Sequence, residues 1–191
     1  MPRVIQFIFV FVFGIVRDRM NCVAKMKRNK PLTSHTLNGE DYRNGALERL
    51  DNAGRLLRQE RFGYAIYLAG RAVEGMLRAV VWHNDADVRE GRKSLDTGHQ
   101  LPELLKSVAD LGLLRSDGDR ELRDSVQAIA WRWFNNLRFA STRFVHTLWW
   151  ARQIVTSRWT LKQAALEFYD ACGTVIRRCE ELCHTKSSRK S

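Results

Sequence analysis

Three charged side chains interrupt an otherwise apolar stretch, GYAIYLAGRAVEGMLRA (residues 63–79): Arg71, Glu74 and Arg78. They share one helical face with Tyr67, and Glu74 reaches Arg71 three positions back and Arg78 four ahead. A carboxylate in apolar company needs partners, because an unpaired buried charge is costly. The trio therefore reads as a structural ion-pair unit rather than a reacting centre. Arg138 ends an apolar run beside Asn135 and Asn136, where a guanidinium can hold a helix's last carbonyls or grip a phosphate. His146 stands among Phe144, Val145, Leu148 and Trp149, which reads first as a core histidine and second as a group able to titrate near neutral pH. His99 precedes an apolar helix and reads as structural, fixing the turn through a backbone hydrogen bond.

Other chemistries find no support in the residue pattern. There is no Gly-rich phosphate loop, no Ser-His-Asp arrangement and no helix with two metal-spaced histidines. Asp117, Asp119, Glu121 and Asp124 suit capping and solvation, with Asp119 opening a helix. Cys179, Cys183 and His184 lack a fourth zinc ligand. Cys172 and Cys179 lie on one heptad line with Leu161, Ala165, Phe168, Val175 and Leu182, so core packing accounts for them. No cofactor and no metal are expected, and reduced thiols fit a cytoplasmic protein.

The elements that position these residues are helical. Three prolines in 191 residues and 45% hydrophobic content favour an all-α protein. Ala65, Ala69, Ala72, Met76 and Ala79 form a small-residue stripe that lets neighbours approach closely, so this second helix (62–83) should be the buried centre of a bundle. A first helix over 40–60 carries Tyr42, Ala46, Leu50, Ala53 and Leu57 inward and returns antiparallel to the second through a short turn. Residues 84–98 read as a surface loop, followed by a third helix with Pro102 in its first turn. The fourth helix is expected to bury Leu122, Val126, Ile129, Trp133 and Leu137. Beyond it, Phe144, Leu148, Ala151 and Val155 suggest a helical stripe, while Trp149, Trp150 and Trp159 exceed what one face needs and suit either a partner surface or the core. A last helix spans 161–183.

The net charge of +11 is unevenly placed. Residues 1–30 carry +6 and residues 184–191 carry +3, leaving +2 for 31–183. Solubilising ends or salt-sensitive attraction to RNA both follow from such tails. Residues 4–16, VIQFIFVFVFGIV, fall short of a bilayer's width and lack a cleavage site. A short anchor, a poor secretory signal and sequence upstream of a start at Met20 or Met26 all compete, and the last is favoured; no membrane association is then expected. The organisation read here is an apolar and basic segment with linker (1–38), a helical bundle (39–184) and a basic tail (185–191).

The order of motifs resembles the HEPN superfamily of helical-bundle domains. Ala72-Val73-Glu74 matches its Ala/Gly-rich second helix, His99 to Leu105 its His-x-Leu-x-x-Leu-Leu turn, and Arg138-Phe139 its Arg-aromatic pair after the fourth helix. The resemblance implies an up-and-down bundle of about five helices over residues 40–183, a homodimer, and RNA or nucleotide chemistry. It also implies a toxin–antitoxin or defence setting beside a nucleotidyltransferase-like partner. Family ribonucleases are metal-independent and use an Arg, then a His after four to six intervening residues. The Arg clamps the scissile phosphate and the His is the general acid/base. Here that implies Arg138 and His146, separated by seven residues, with Phe139 where a polar residue is usual. The expectation is a non-catalytic or degenerate domain binding RNA, a nucleotide or a partner protein through Arg138, Arg143 and Asn135, with an active ribonuclease as the alternative.

Overall fold

A capping box starts the first helix, α1 (Gly39–Arg58): the Asn38 carboxamide oxygen accepts from the Asp41 amide at 2.9 Å, and the Asp41 carboxylate accepts from the Asn38 amide at 3.0 Å. Two otherwise orphaned first-turn donors are thereby satisfied. The computed structural model describes residues 37–95, 98–114 and 119–184, which belong to one compact unit. A turn through Glu60, whose φ is 58°, leads into α2 (Phe62–Asn84), which packs along α1.

Every residue of α2 from Ala72 to Val81 is buried, and Ala65, Ala69, Ala72, Met76 and Ala79 are at most 1% exposed. Around it pack α1, α3 (Ala86–Arg89), α4 (Leu101–Asp110), a 3-10 turn (Asn135–Phe139), α6 (Thr142–Ala151) and α7 (Leu161–His184). The small side chains let so many elements approach one rod. The inward line of α7 runs Leu161, Ala165, Phe168, Cys172, Val175, Cys179 and Leu182, all buried as the heptad spacing requires. The protein is all-α among the described residues, with no strand, and has seven α-helices plus the 3-10 turn where about five helices were expected.

Several expectations need correction. The 84–98 segment is not wholly loop, since Asp85 caps the four-residue α3 by accepting from the Asp87 amide. The fourth helix, α5 (Arg120–Arg132), does not reach Leu137. Trp133 turns extended (φ −121°, ψ 141°) and the chain re-enters as the 3-10 turn. Trp133 and Leu137 still reach the core. The last carbonyls of α5 find donors on α6 and at its C-cap: Trp149 Nε1 bonds the Arg132 oxygen and the Arg152 guanidinium bonds that of Trp131. Such partners are what a helix end needs. On α6 the inward pair is Val145 and Trp149, whereas Phe144 is exposed and Val155 is buried beyond the helix. Asp119 makes no side-chain cap; its carboxylate accepts from Arg178 on α7 at 2.8 Å. The readings of residues 1–36, Asp117 and the basic tail lie outside the described residues.

Candidate functional site

Glu74 is fully buried on α2 and is the hub of a charged cluster. Arg71, one turn before, bonds Glu74 Oε2, and Arg78, one turn after, bonds Oε1. His99, at the start of α4, places Nδ1 2.7 Å from Glu74 Oε1 and 2.8 Å from Arg71 Nη1. His99 has φ 67°, and its ring reaches the Glu74 carboxylate where a backbone partner was expected. Burial pushes the Glu74 carboxyl upward, but Arg78, His99 and Arg71 together outweigh it and hold it below the usual carboxylate range. The His99 Nδ1 thus sits between the Glu74 carboxylate, which only accepts, and the Arg71 guanidinium, which only donates. With Glu74 ionised, two guanidiniums face one carboxylate, and the cluster is positive by one charge.

His99 also lines a cleft of about 400 Å³ between the start of α4 and the α5–α6 link. Leu101, Pro102, Trp133 and Phe134 supply apolar walls, and Asn135 and Asn136 supply carboxamides. The Asn135 Oδ1 is buried without a hydrogen-bond partner.

The α5–α6 segment forms a second distinctive surface. Between Asp124 and Glu167 the sequence carries six Lys/Arg and no carboxylate, in a region of otherwise near-neutral balance. Six of the eight large exposed apolar side chains among the described residues fall within it: Trp131, Phe139, Phe144, Trp150, Trp159 and Leu166. Cations lie over several of these rings. The Arg138 guanidinium sits 4.5 Å from the Phe139 centroid, and that of Arg152 sits 5.0 Å from Trp131 and 6.0 Å from Phe134. His146 stacks on Trp150 with centroids 6.2 Å apart and planes 26° from parallel. Arg132 is occupied by Glu167 at 2.9 Å, whereas Arg138, Arg143 and Arg152 pair with no carboxylate among the described residues.

No family model, curated protein or solved structure matches this chain.

The residues expected to act together divide into two groups. Arg71, Glu74, Arg78 and His99 converge, and Asn135 lines the same cleft as His99. Arg138, Arg143 and His146 are each exposed in the carboxylate-free run. His146 is not a core histidine: Val145 occupies the inward position, which turns its neighbour outward. Arg138 does not close an α-helix; it lies in the 3-10 turn, over Phe139. Sequence reasoning passed over Trp131, Phe134 and Arg152, although the long carboxylate-free run marks them. Burial pushes the Cys172 and Cys179 thiols up, and Cys183 up to about 11, so all three are protonated at neutral pH and poor nucleophiles. No cluster of three His, Cys, Asp or Glu able to hold a metal exists among the described residues. Nor is any helix there long and apolar enough to cross a membrane.

Proposed function

We propose that this chain is a non-catalytic, HEPN-type domain that binds single-stranded RNA on its α5–α6 face. One observation carries the reading: a carboxylate-free run that presents exposed aromatic rings together with unpaired guanidiniums. Exposed rings accept stacked bases whatever their identity, and guanidiniums hold the phosphates between them. In this reading Arg138 and Arg143 contact phosphate, and Trp131, Phe139 and the His146–Trp150 pair offer the stacking surfaces.

The motif resemblance supports reading the domain as a homodimer beside a nucleotidyltransferase-like partner in a toxin–antitoxin or defence system, and reduced thiols support a cytoplasmic setting. The ribonuclease alternative assigns Arg138 as clamp and His146 as acid/base. Against it stands the setting of His146, whose recorded contact is the face of Trp150, while the carboxylate that orients a histidine, Glu74, serves His99.

The test is anisotropy of a labelled 12-nucleotide single-stranded RNA titrated with protein at several salt concentrations in EDTA. Binding that weakens steeply with salt and fails in Trp131→Ala/Phe139→Ala supports the reading. Salt-independent binding, binding indifferent to both rings, or cleavage lost in His146→Ala overturns it.

A further inference from the structure

Arg152 differs from Arg138 and Arg143 in what holds it. It stands at the C-cap of α6 and is half-buried, whereas the other two are exposed. Its guanidinium donates to the Trp131 carbonyl, 21 residues back in the chain. That oxygen is among the last four of α5, which have no partner inside the helix. The same guanidinium lies within cation–π reach of two rings, Trp131 at 5.0 Å and Phe134 at 6.0 Å. Phe134 packs against the core and so gives the cation a fixed base. One planar group therefore holds both the backbone oxygen and the ring of Trp131. The indole remains 62% exposed. An exposed indole without such a partner samples several rotamers, and that freedom is lost when a base stacks on it. A guanidinium already laid against the ring removes the freedom beforehand.

We propose that Arg152 is a positioning residue for the RNA-binding face: it clamps the Trp131 indole ready to receive a base and takes no phosphate itself. The proposal rests on the RNA-binding reading above and divides the arginines of the run into two kinds. Arg138 and Arg143 supply charge to the strand, while Arg152 supplies order to a ring. Lysine cannot take over the second task. Its ammonium is a compact point charge with no flat face to lie on an indole while bonding a carbonyl.

The experiment has one arm without RNA and one with it. In the free protein, nitrogen-15 relaxation of the Trp131 indole N–H should give an order parameter near the roughly 0.85 of rigid backbone, falling below about 0.6 in Arg152→Ala. The wild-type value does not depend on any variant folding. In the second arm the labelled 12-nucleotide RNA is titrated at several salt concentrations. Arg152→Ala should weaken binding about threefold to tenfold, the cost of ordering one side chain, and leave the salt slope unchanged. Loss of a phosphate contact would instead lower that slope by about 0.7. In a Trp131→Ala protein the same substitution should have no further effect, and Arg152→Lys should bind as weakly as Arg152→Ala. A mobile indole in wild type, or one whose order Arg152→Ala leaves unchanged, overturns the clamp. So does a lowered slope, an equal loss with and without Trp131, or rescue by lysine, and each of these leaves the RNA reading standing. If wild type binds no RNA, the RNA reading has failed, and the indole measurement alone then decides the clamp.

Discussion

The indole of Trp133 lies against the Cα of Gly70, and its Nε1 donates to the Tyr67 carbonyl at 3.1 Å. Trp133 is 3% exposed, so this ring is a wall of the core as well as of the cleft. Its approach to α2 requires a residue with no side chain, and its hydrogen bond fixes where the chain leaves α5.

Gly70→Ala should therefore destabilise the fold despite alanine's better helix propensity. The propensity gain is about 1 kcal/mol, but the new methyl would overlap a rigid buried ring, and overpacking costs about 1–3 kcal/mol. Denaturant unfolding should show a net loss, with altered tryptophan emission in the native baseline. A more stable variant would refute the close approach of Trp133.

The same substitution at another helical glycine should act in the opposite direction. A Cβ added at Gly173, inside α7, meets nothing within 4 Å. Gly173→Ala should raise stability by about 0.5–1 kcal/mol, since the helix gains propensity with no steric penalty. Paired melts of the two variants make a direct comparison, and equal signs would contradict the packing around α2.

Glu74 provides a test by charge and by pH. Glu74→Gln keeps the shape but leaves Arg78, 9% exposed, without its buried carboxylate, which should cost about 3–5 kcal/mol. Because the folded-state pKa of Glu74 is lowered from 4.5, its contribution is present above that value and is lost as pH falls through the folded-state pKa. Wild type should lose stability in that acid window, and Glu74→Gln should lack this component of the loss. Parallel acid profiles for the two proteins would show that Glu74 is not held ionised.

Much of the architecture follows from spacing that sequence alone displays. The steps of three and four that place Ala65 to Ala79 on one side of α2, and Leu161 to Leu182 on one side of α7, are set by helix geometry and survive folding unchanged. The Glu74 pairs are legible for the same reason, being one turn apart. His99 is not, because its partner is 25 residues away and the contact depends on how α4 docks. Breaks within helices are equally hidden: Trp133 and Leu137 keep helical spacing and both reach the core, although Trp133 is extended and the chain then turns 3-10. That break also overturns the stripe expected on α6, since the register of a helix depends on where its chain enters.

Arg138 and Arg143 supply the most direct test of the RNA-binding face. Both are exposed and lie in the carboxylate-free run, so their removal should leave folding intact. Each phosphate neutralised on a single strand adds about 0.7 to the slope of log affinity against log salt. Arg138→Ala/Arg143→Ala should thus lower that slope by about 1.4 and weaken binding at low salt, equally for every sequence. Trp131→Ala should behave differently, losing about 1–3 kcal/mol of stacking at all salt concentrations with the slope preserved. The two signatures separate phosphate contact from base contact on one surface. If the arginine pair leaves the slope untouched while RNA still binds, the phosphates lie elsewhere, and the basic tails become the residues to truncate next.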